Sequence, residues 1–178
     1  MTTSEAGPVL QTARLLLRRM TVDDGVFIAG LFTQPSFLEN IGDRGVKTAD
    51  DARDYIREGP MTSYRDRGFG FYVVELKEGG DAIGICGLIK RAGLEHVDVG
   101  FALLPEFWGQ GYAAEAAAAN LDEARQLGLG TVLAIVQPEN TGSVRVLEKI
   151  GMRRSGSVRL PGEDKDLELF INSPEDDR

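Results

Sequence analysis

"PEFWGQGYAAEAAAAN", residues 105–120, sets two glycines, Gly109 and Gly111, around one polar residue and directly before an alanine-rich helix former. A plain loop does not need its most flexible residues there. A loop that presses its backbone against a ligand does, because glycine lacks a Cβ and tolerates left-handed angles, so successive N–H groups can form a concave nest. The helix that follows begins with unpaired N–H groups and the positive end of its dipole, which favours an anion. The loop holds no lysine or arginine, so an anion such as a pyrophosphate would be held mainly by backbone. On spacing alone, a tight strand-to-helix turn with no ligand is the favoured reading, because short glycine motifs recur widely. The pattern is neither a dinucleotide fingerprint, which needs three glycines after an early strand, nor a phosphate loop with its lysine–serine/threonine pair.

Outward from this loop, "HVDVGFALL" (96–104) precedes it as a strand, a helix runs from about Tyr112 to Leu127, and Gly128 stops it. "TVLAIVQ" (131–137) then reads as a buried strand. Strand, helix and strand make a βαβ unit with parallel strands and a right-handed crossover. Upstream, "FGFYVVELKE" (69–78) and "AIGICGLIK" (82–90) are β-rich, and the separators "GG" and "RAGLE" are of hairpin length, so these strands should run antiparallel. "ARLLLRRM" (13–20) reads as a strand, after which Thr21 caps a helix through "DDGVFIAGLF". Residues 48–68 read as helical with a break near Gly59-Pro60. "NTGSVRVLEKI" (140–150) reads as a helix stopped by Gly151, and two final strands surround "PGED". The sum is an α/β (α+β) domain with a mixed, mostly antiparallel sheet of about six to seven strands and about four helices. It is a single domain over 1–178, with residues 1–10 and 173–178 as loose tails.

A chain of 178 residues with 42% hydrophobic and 27% charged residues suits one soluble globular domain. The net charge of −8 argues against a nucleic-acid surface, which needs a basic patch. No apolar run is long enough to cross a membrane, and the start lacks the basic and apolar segments of a signal peptide, so a cytoplasmic protein is expected. Cys86 is the single cysteine and reads as a small buried residue, not a nucleophile. His96 is the single histidine and reads as a surface residue; no histidine–carboxylate cluster points to a metal.

"VGFALLPEFWGQGYAAEA" (99–116) followed by "IVQPENTGSVRVLEKIGM" (135–152) resembles the GNAT superfamily of N-acetyltransferases, and within it most the RimJ/RimL branch. The resemblance spans roughly residues 12–172, and "ARLLLRRM" and "EKIGM" also match the branch. It implies a splayed mixed sheet that grips acetyl-CoA between its two parallel strands. It further implies that the backbone of Phe101, Ala102 and Leu103 pairs with the pantetheine arm. N–H groups across Trp108, Gly109, Gln110, Gly111, Tyr112 and Ala113 would hold the pyrophosphate, and Asn140 would touch the cofactor. The tyrosine that many relatives use as general acid is replaced here by Leu147; in the resembled branch a serine one turn earlier is the candidate, and Ser143 stands there. Trp108 replaces the arginine or glutamine of the wider family.

Bland readings stand beside these. Asn140 can simply cap its helix, with Thr141 as rival. Trp108 reads as packing at the loop base. Glu75 and Asp98 each interrupt an apolar strand and read as outward, solvated residues, with a role as general base the alternative. Arg145 and Lys149 read first as a solvated helix face and second as partners of the cofactor's 3′-phosphate.

The chemistry tilts the acceptor. Attack on a thioester needs a neutral amine, and at pH 7 deprotonation costs about 1 kcal/mol for an α-amine and about 4.6 kcal/mol for a lysine. A weak or water-relayed base therefore suits an α-amine, either a protein N-terminus or a small-molecule amine. A homodimer remains open as an assembly. A non-catalytic acyl-CoA-binding module with the same fold is the alternative, suggested by the absent tyrosine.

Overall fold

The computed structural model describes residues 7–172. The chain forms β1 (Pro8–Gln11), β2 (Leu15–Arg19), α1 (Gly25–Phe32), α2 (Pro35–Asn40), α3 (Ala49–Glu58) and α4 (Pro60–Arg67). It continues through β3 (Phe71–Leu76), β4 (Ala82–Ile89), β5 (Asp98–Leu103) and α5 (Tyr112–Gln126). Then come β6 (Val132–Val136), α6 (Thr141–Lys149), β7 (Arg153–Val158) and β8 (Leu167–Asn172). One eight-stranded sheet runs in the order β1-β2-β3-β4-β5-β6-β8-β7. Only β5 and β6 are parallel neighbours; the other pairs are antiparallel.

Two expectations change. The stretch read as a loose N-terminal tail contributes β1 from Pro8 onward, which raises the strand number to eight; residues 1–6 and 173–178 lie outside the described residues. Its Pro8 opens an edge strand, where a missing N–H is tolerated. A further short helix, α2, starts with Pro35 in its first turn, where proline's fixed φ suits a helix. The 48–68 region divides at Gly59 into α3 and α4.

Strand alternation sorts the core into two layers. Leu15, Leu17, Tyr72, Val74, Cys86 and Leu88 face α5, which offers Ala116, Ala117, Leu121 and Ala124. The small alanine side chains bring α5 close to the strands. Met20, Val73 and Ile85 face the other way, against Ile28, Phe32 and Ile56 of α1 and α3. Close approach is obligatory at Gly87, where a Cβ would lie 2.1 Å from the Gly70 carbonyl.

The feature that positions the site is a split in the sheet. β5 pairs with β4 along its whole length, Asp98 to Leu103, but meets β6 only at Asp98↔Leu133. β6 pairs with β8 instead, from Val132 to Val136. Beyond that one bridge the two parallel strands diverge and leave a wedge between them.

Candidate active site

The wedge exposes backbone. Leu104 N–H donates to the Ile83 carbonyl at 2.8 Å, so these two residues form a hydrogen-bonded pair of the antiparallel ladder. Such pairs alternate along a ladder, which places Ala102 opposite Ile85 as the next one. Phe101 and Leu103 therefore turn their backbone groups away from β4 and toward the wedge. Ala102 borders the cleft, but the ladder register turns its backbone groups to β4, which corrects its expected role as a backbone partner of the arm. The Leu103 carbonyl is also taken, by Trp108 Nε1 at 2.9 Å. The free groups are the Phe101 N–H and C=O and the Leu103 N–H.

The glycine loop closes one end of the wedge. Gly109 has φ +74° and Gly111 φ +83°, both left-handed, and Gly111 caps α5 without any side-chain hydrogen bond. The first N–H groups of α5 are thus open to a ligand. Arg14 is drawn to this loop: it donates to the Gln110 carbonyl at 2.9 Å, bonds Glu115 at 2.7 Å and stacks on Tyr112 at 4.3 Å. Gln110 itself does not line the cleft; its amide reaches the Glu106 carbonyl at 3.3 Å. Trp108 is 51% exposed. Its indole is fixed at the base of the loop by the bond to Leu103 and forms part of the cleft wall.

The cleft has a volume of about 420 Å³ and runs from this loop, past Leu103 and Phe101, to α6. Arg145 and Lys149 line it, and among the described residues no carboxylate does. Neither cation has an ion-pair partner among the described residues. Both side chains are exposed, as a solvated helix face would be, and both also border the cavity with positive charge. Asn140 caps α6 through its Oδ1, which accepts from Ser143 N–H at 3.2 Å, and it lines the cleft as well.

A second cavity of about 330 Å³ lies beyond, between α2, α3, β5, β6 and the β7–β8 loop. Phe37, Asn40, Ile41, Phe101, Asn140 and Ser143 line both cavities and form the throat between them. The Ser143 hydroxyl sits at this throat without a protein hydrogen bond among the described residues. Asp98 lies in the second cavity, 1% exposed, paired with Arg91 through bonds of 2.8 and 3.1 Å. Burial pushes its carboxyl above the ordinary value, against the pull of Arg91. The outward, solvated reading of Asp98 is therefore corrected. Glu75 is set apart: it lines neither cavity and bonds Arg18 at 2.7 Å, beside the Arg18–Asp24 pair. A salt-bridged carboxylate away from both cavities cannot reach a proton there, so Glu75 drops out as a base.

Sequence reading missed α2, which brings Phe37 and Asn40 to the throat, and the residues Arg44, Tyr55 and Arg91 of the second cavity. The Pro35 signal could have revealed the helix. Arg44, Tyr55 and Arg91 are far apart in sequence, and only tertiary structure gathers them. Among the described residues no cluster of three histidine, cysteine or carboxylate side chains could hold a metal, and no helix is long and apolar enough to cross a membrane.

Comparison with known proteins agrees with this geometry. Residues 14–153 match the model of the acetyltransferase (GNAT) domain. The uncharacterized N-acetyltransferase YnaD of Bacillus subtilis is 31% identical over 148 residues, with 83% of this chain and 84% of that protein covered. An acetyltransferase structure from Agrobacterium tumefaciens superposes with a TM-score of 0.78 at 27% identity, covering 93% of this chain and 94% of that one. An aminoglycoside acetyltransferase in complex with coenzyme A shares the fold, with a TM-score of 0.75 at 18% identity and coverage of 90% and 95%. With its split sheet, its glycine loop and a family match over most of its length, the chain belongs to the GNAT acetyltransferase family.

Proposed function

We propose that the protein is an acetyl-CoA-dependent N-acetyltransferase of the RimJ/RimL type. It would move an acetyl group to a primary amine by direct attack in a ternary complex. The observation that carries this is the pair of cavities joined at one throat, the first lined by cations and, among the described residues, no carboxylate, in a protein of net charge −8. An anionic cofactor fits the first cavity on three independent features. The open N–H groups of the glycine loop suit a pyrophosphate. Arg145 and Lys149 suit a further phosphate. The free edge of Phe101 and Leu103 suits the amides of a pantetheine arm.

Bound acetyl-CoA supplies the activated acetyl thioester. The chain's own residues then do the following. Phe101 and Leu103 orient the arm so that its sulfur end reaches the throat. Ser143 donates a proton to the departing sulfur. Asp98 receives the amine proton through water in the second cavity, its raised proton affinity suiting that task. The amine, an α-amine of a protein N-terminus or of a small molecule, approaches from the second cavity. Cytoplasmic residence and a homodimeric assembly belong to the same proposal.

The test has two arms. Calorimetric titration with acetyl-CoA should show one site per chain. Thiol release with a panel of primary amines should then show turnover. Binding without turnover on any amine would instead mark a non-catalytic acyl-CoA-binding module, the reading that the buried Leu147 at the usual tyrosine position favours. Absence of binding would remove both readings.

A further inference from the structure

The second cavity gathers cationic and hydrogen-bonding groups that the transfer chemistry does not use. Arg91 bonds Asp98 through Nε and Nη2, which leaves its Nη1 donors without a protein acceptor among the described residues. Asp98 thereby holds Arg91 in a fixed orientation. Arg44, from the loop after α2, lines the same cavity and has no hydrogen bond or ion pair among the described residues. Tyr55 of α3 lines it too; its hydroxyl has no hydrogen-bond partner among the described residues, and the charges of both Arg44 and Arg91 act on it. The remaining charged groups of the cavity are Glu163 and Lys165, which come from the exposed β7–β8 loop at its rim.

Arg44 is exposed and Arg91 and Tyr55 are partly buried, so each keeps donors that a ligand in the cavity can reach. Together they are matched by one oxyanion, and arginine forks match a carboxylate above all. Phe32, Phe71, Ile85 and Ile89 give the cavity an apolar lining as well, and the Phe32 ring meets Tyr55 edge to face at 5.0 Å. A polycationic amine would meet the cations Arg44 and Lys165 here, and the Asp98 carboxylate is already paired with Arg91.

Resting on the acetyltransferase reading above, we propose that Arg44, Arg91 and Tyr55 form a carboxylate-binding corner. The acceptor is then a small amine that carries a carboxylate and an apolar body, as a free hydrophobic α-amino acid does. The carboxylate would be held in the corner and the apolar body against the phenylalanines. The amine would lie toward the throat.

Phenylalanine and phenylalaninamide make the direct test: they share the apolar body and differ in the group the corner would bind, and because the amide's α-amine is also the less basic, reaction rates are compared per neutral amine across pH. Each is titrated into protein saturated with coenzyme A, and each is assayed for thiol release from acetyl-CoA. Phenylalanine should bind and react at least tenfold better than its amide. Arg44→Gln and Tyr55→Phe should each shrink that preference several-fold, with acetyl-CoA affinity unchanged; circular dichroism confirms that the variants fold. Equal or better use of phenylalaninamide, of a peptide with a neutral second residue, or of a polyamine would overturn the corner while leaving the acetyltransferase reading in place. So would a failure of phenylalanine to bind at all in the presence of coenzyme A. Failure of acetyl-CoA itself to bind would instead overturn the underlying reading.

Discussion

Gly111 holds a left-handed angle of +83°, and a Cβ there would meet Arg14 Nη2 at 3.2 Å and Lys149 Nζ at 3.8 Å. Valine would strain the backbone and crowd the two cations beside the open helix end. Gly111→Val should therefore weaken acetyl-CoA binding at least tenfold, about 1.4 kcal/mol, with the fold retained. Unchanged affinity by calorimetry would show that the loop does not carry the phosphates. At the throat, Ser143→Ala should lower kcat at least tenfold, the low end of the usual 10²–10⁴ contribution or somewhat below it, with KM for acetyl-CoA nearly constant. Equal kcat across pH 6–9 (roughly half a unit either side of the histidine-to-thiol pKa span) would assign the proton to water instead. Cys86 is fully buried against Asn120, and burial pushes its thiol well above the ordinary value, so it is no nucleophile at neutral pH. Cys86→Ala should keep most of the activity, and labelled acetyl groups should not be trapped on Cys86.

Among the elements, α5 carries an unusual load. Its inner face holds Asn120 and Glu123, and Tyr72 donates to Glu123 Oε1 at 2.6 Å across the core. Asn120 Oδ1 and Glu123 Oε2 are buried without partners, and the two residues are one turn apart on the same face. Burial raises the Glu123 pKa in the folded state, with the Tyr72 bond opposing. The folded protein therefore binds that proton more tightly than the unfolded chain. Its contribution to stability is fully present below the ordinary glutamate pKa and is lost as pH rises through the raised one. Glu123→Gln abolishes this titration, keeps an acceptor for Tyr72 and adds an N–H for Asn120. Urea unfolding should show the variant gaining about 1 kcal/mol on the wild type at pH 8, with a smaller gain at pH 4. A loss at pH 8 would mean that the charged carboxylate is needed.

The same elements show what a sequence can and cannot disclose. The βαβ unit was legible because its strands are apolar runs and its helix a run of alanines between glycines, all local signals. β1 and α2 were not: each is too short for its periodicity to show, and both owe their form to neighbours, β1 to the β2 edge and α2 to the aromatic packing of Phe37 on Phe32. Of the candidate site, the glycine turn and the Asn140 cap were legible as local signals, whereas Ser143 was picked out by the resemblance alone. Ala102 was misassigned because the direction of its backbone depends on ladder register. Glu75 and Asp98 looked alike as lone carboxylates in apolar strands, and only the long-range partners Arg18 and Arg91, with the positions of the two cavities, separate them.

At the scale of the molecule, charge is unevenly shared. The chain carries −8, yet the candidate cofactor cleft presents Arg145 and Lys149 and, among the described residues, no carboxylate. Such a cleft attracts a polyanion against the overall field, and its pull should be screened by salt, the Debye length shrinking from about 10 Å at 0.1 M to about 3 Å at 1 M. Removing both cations, as Arg145→Ala with Lys149→Ala, should weaken acetyl-CoA binding and flatten its salt dependence. A salt response identical to the wild type would place the phosphates elsewhere. The central claim is that the wedge between β5 and β6 seats the cofactor with its sulfur at the throat. The most direct measurement is a crystal structure of the protein with coenzyme A bound. The expected result is the pyrophosphate on the N–H groups of Gly109–Ala113, the arm along Phe101 and Leu103, and the thiol beside Ser143. A coenzyme A molecule bound outside the wedge, or a thiol pointing away from the second cavity, would contradict it.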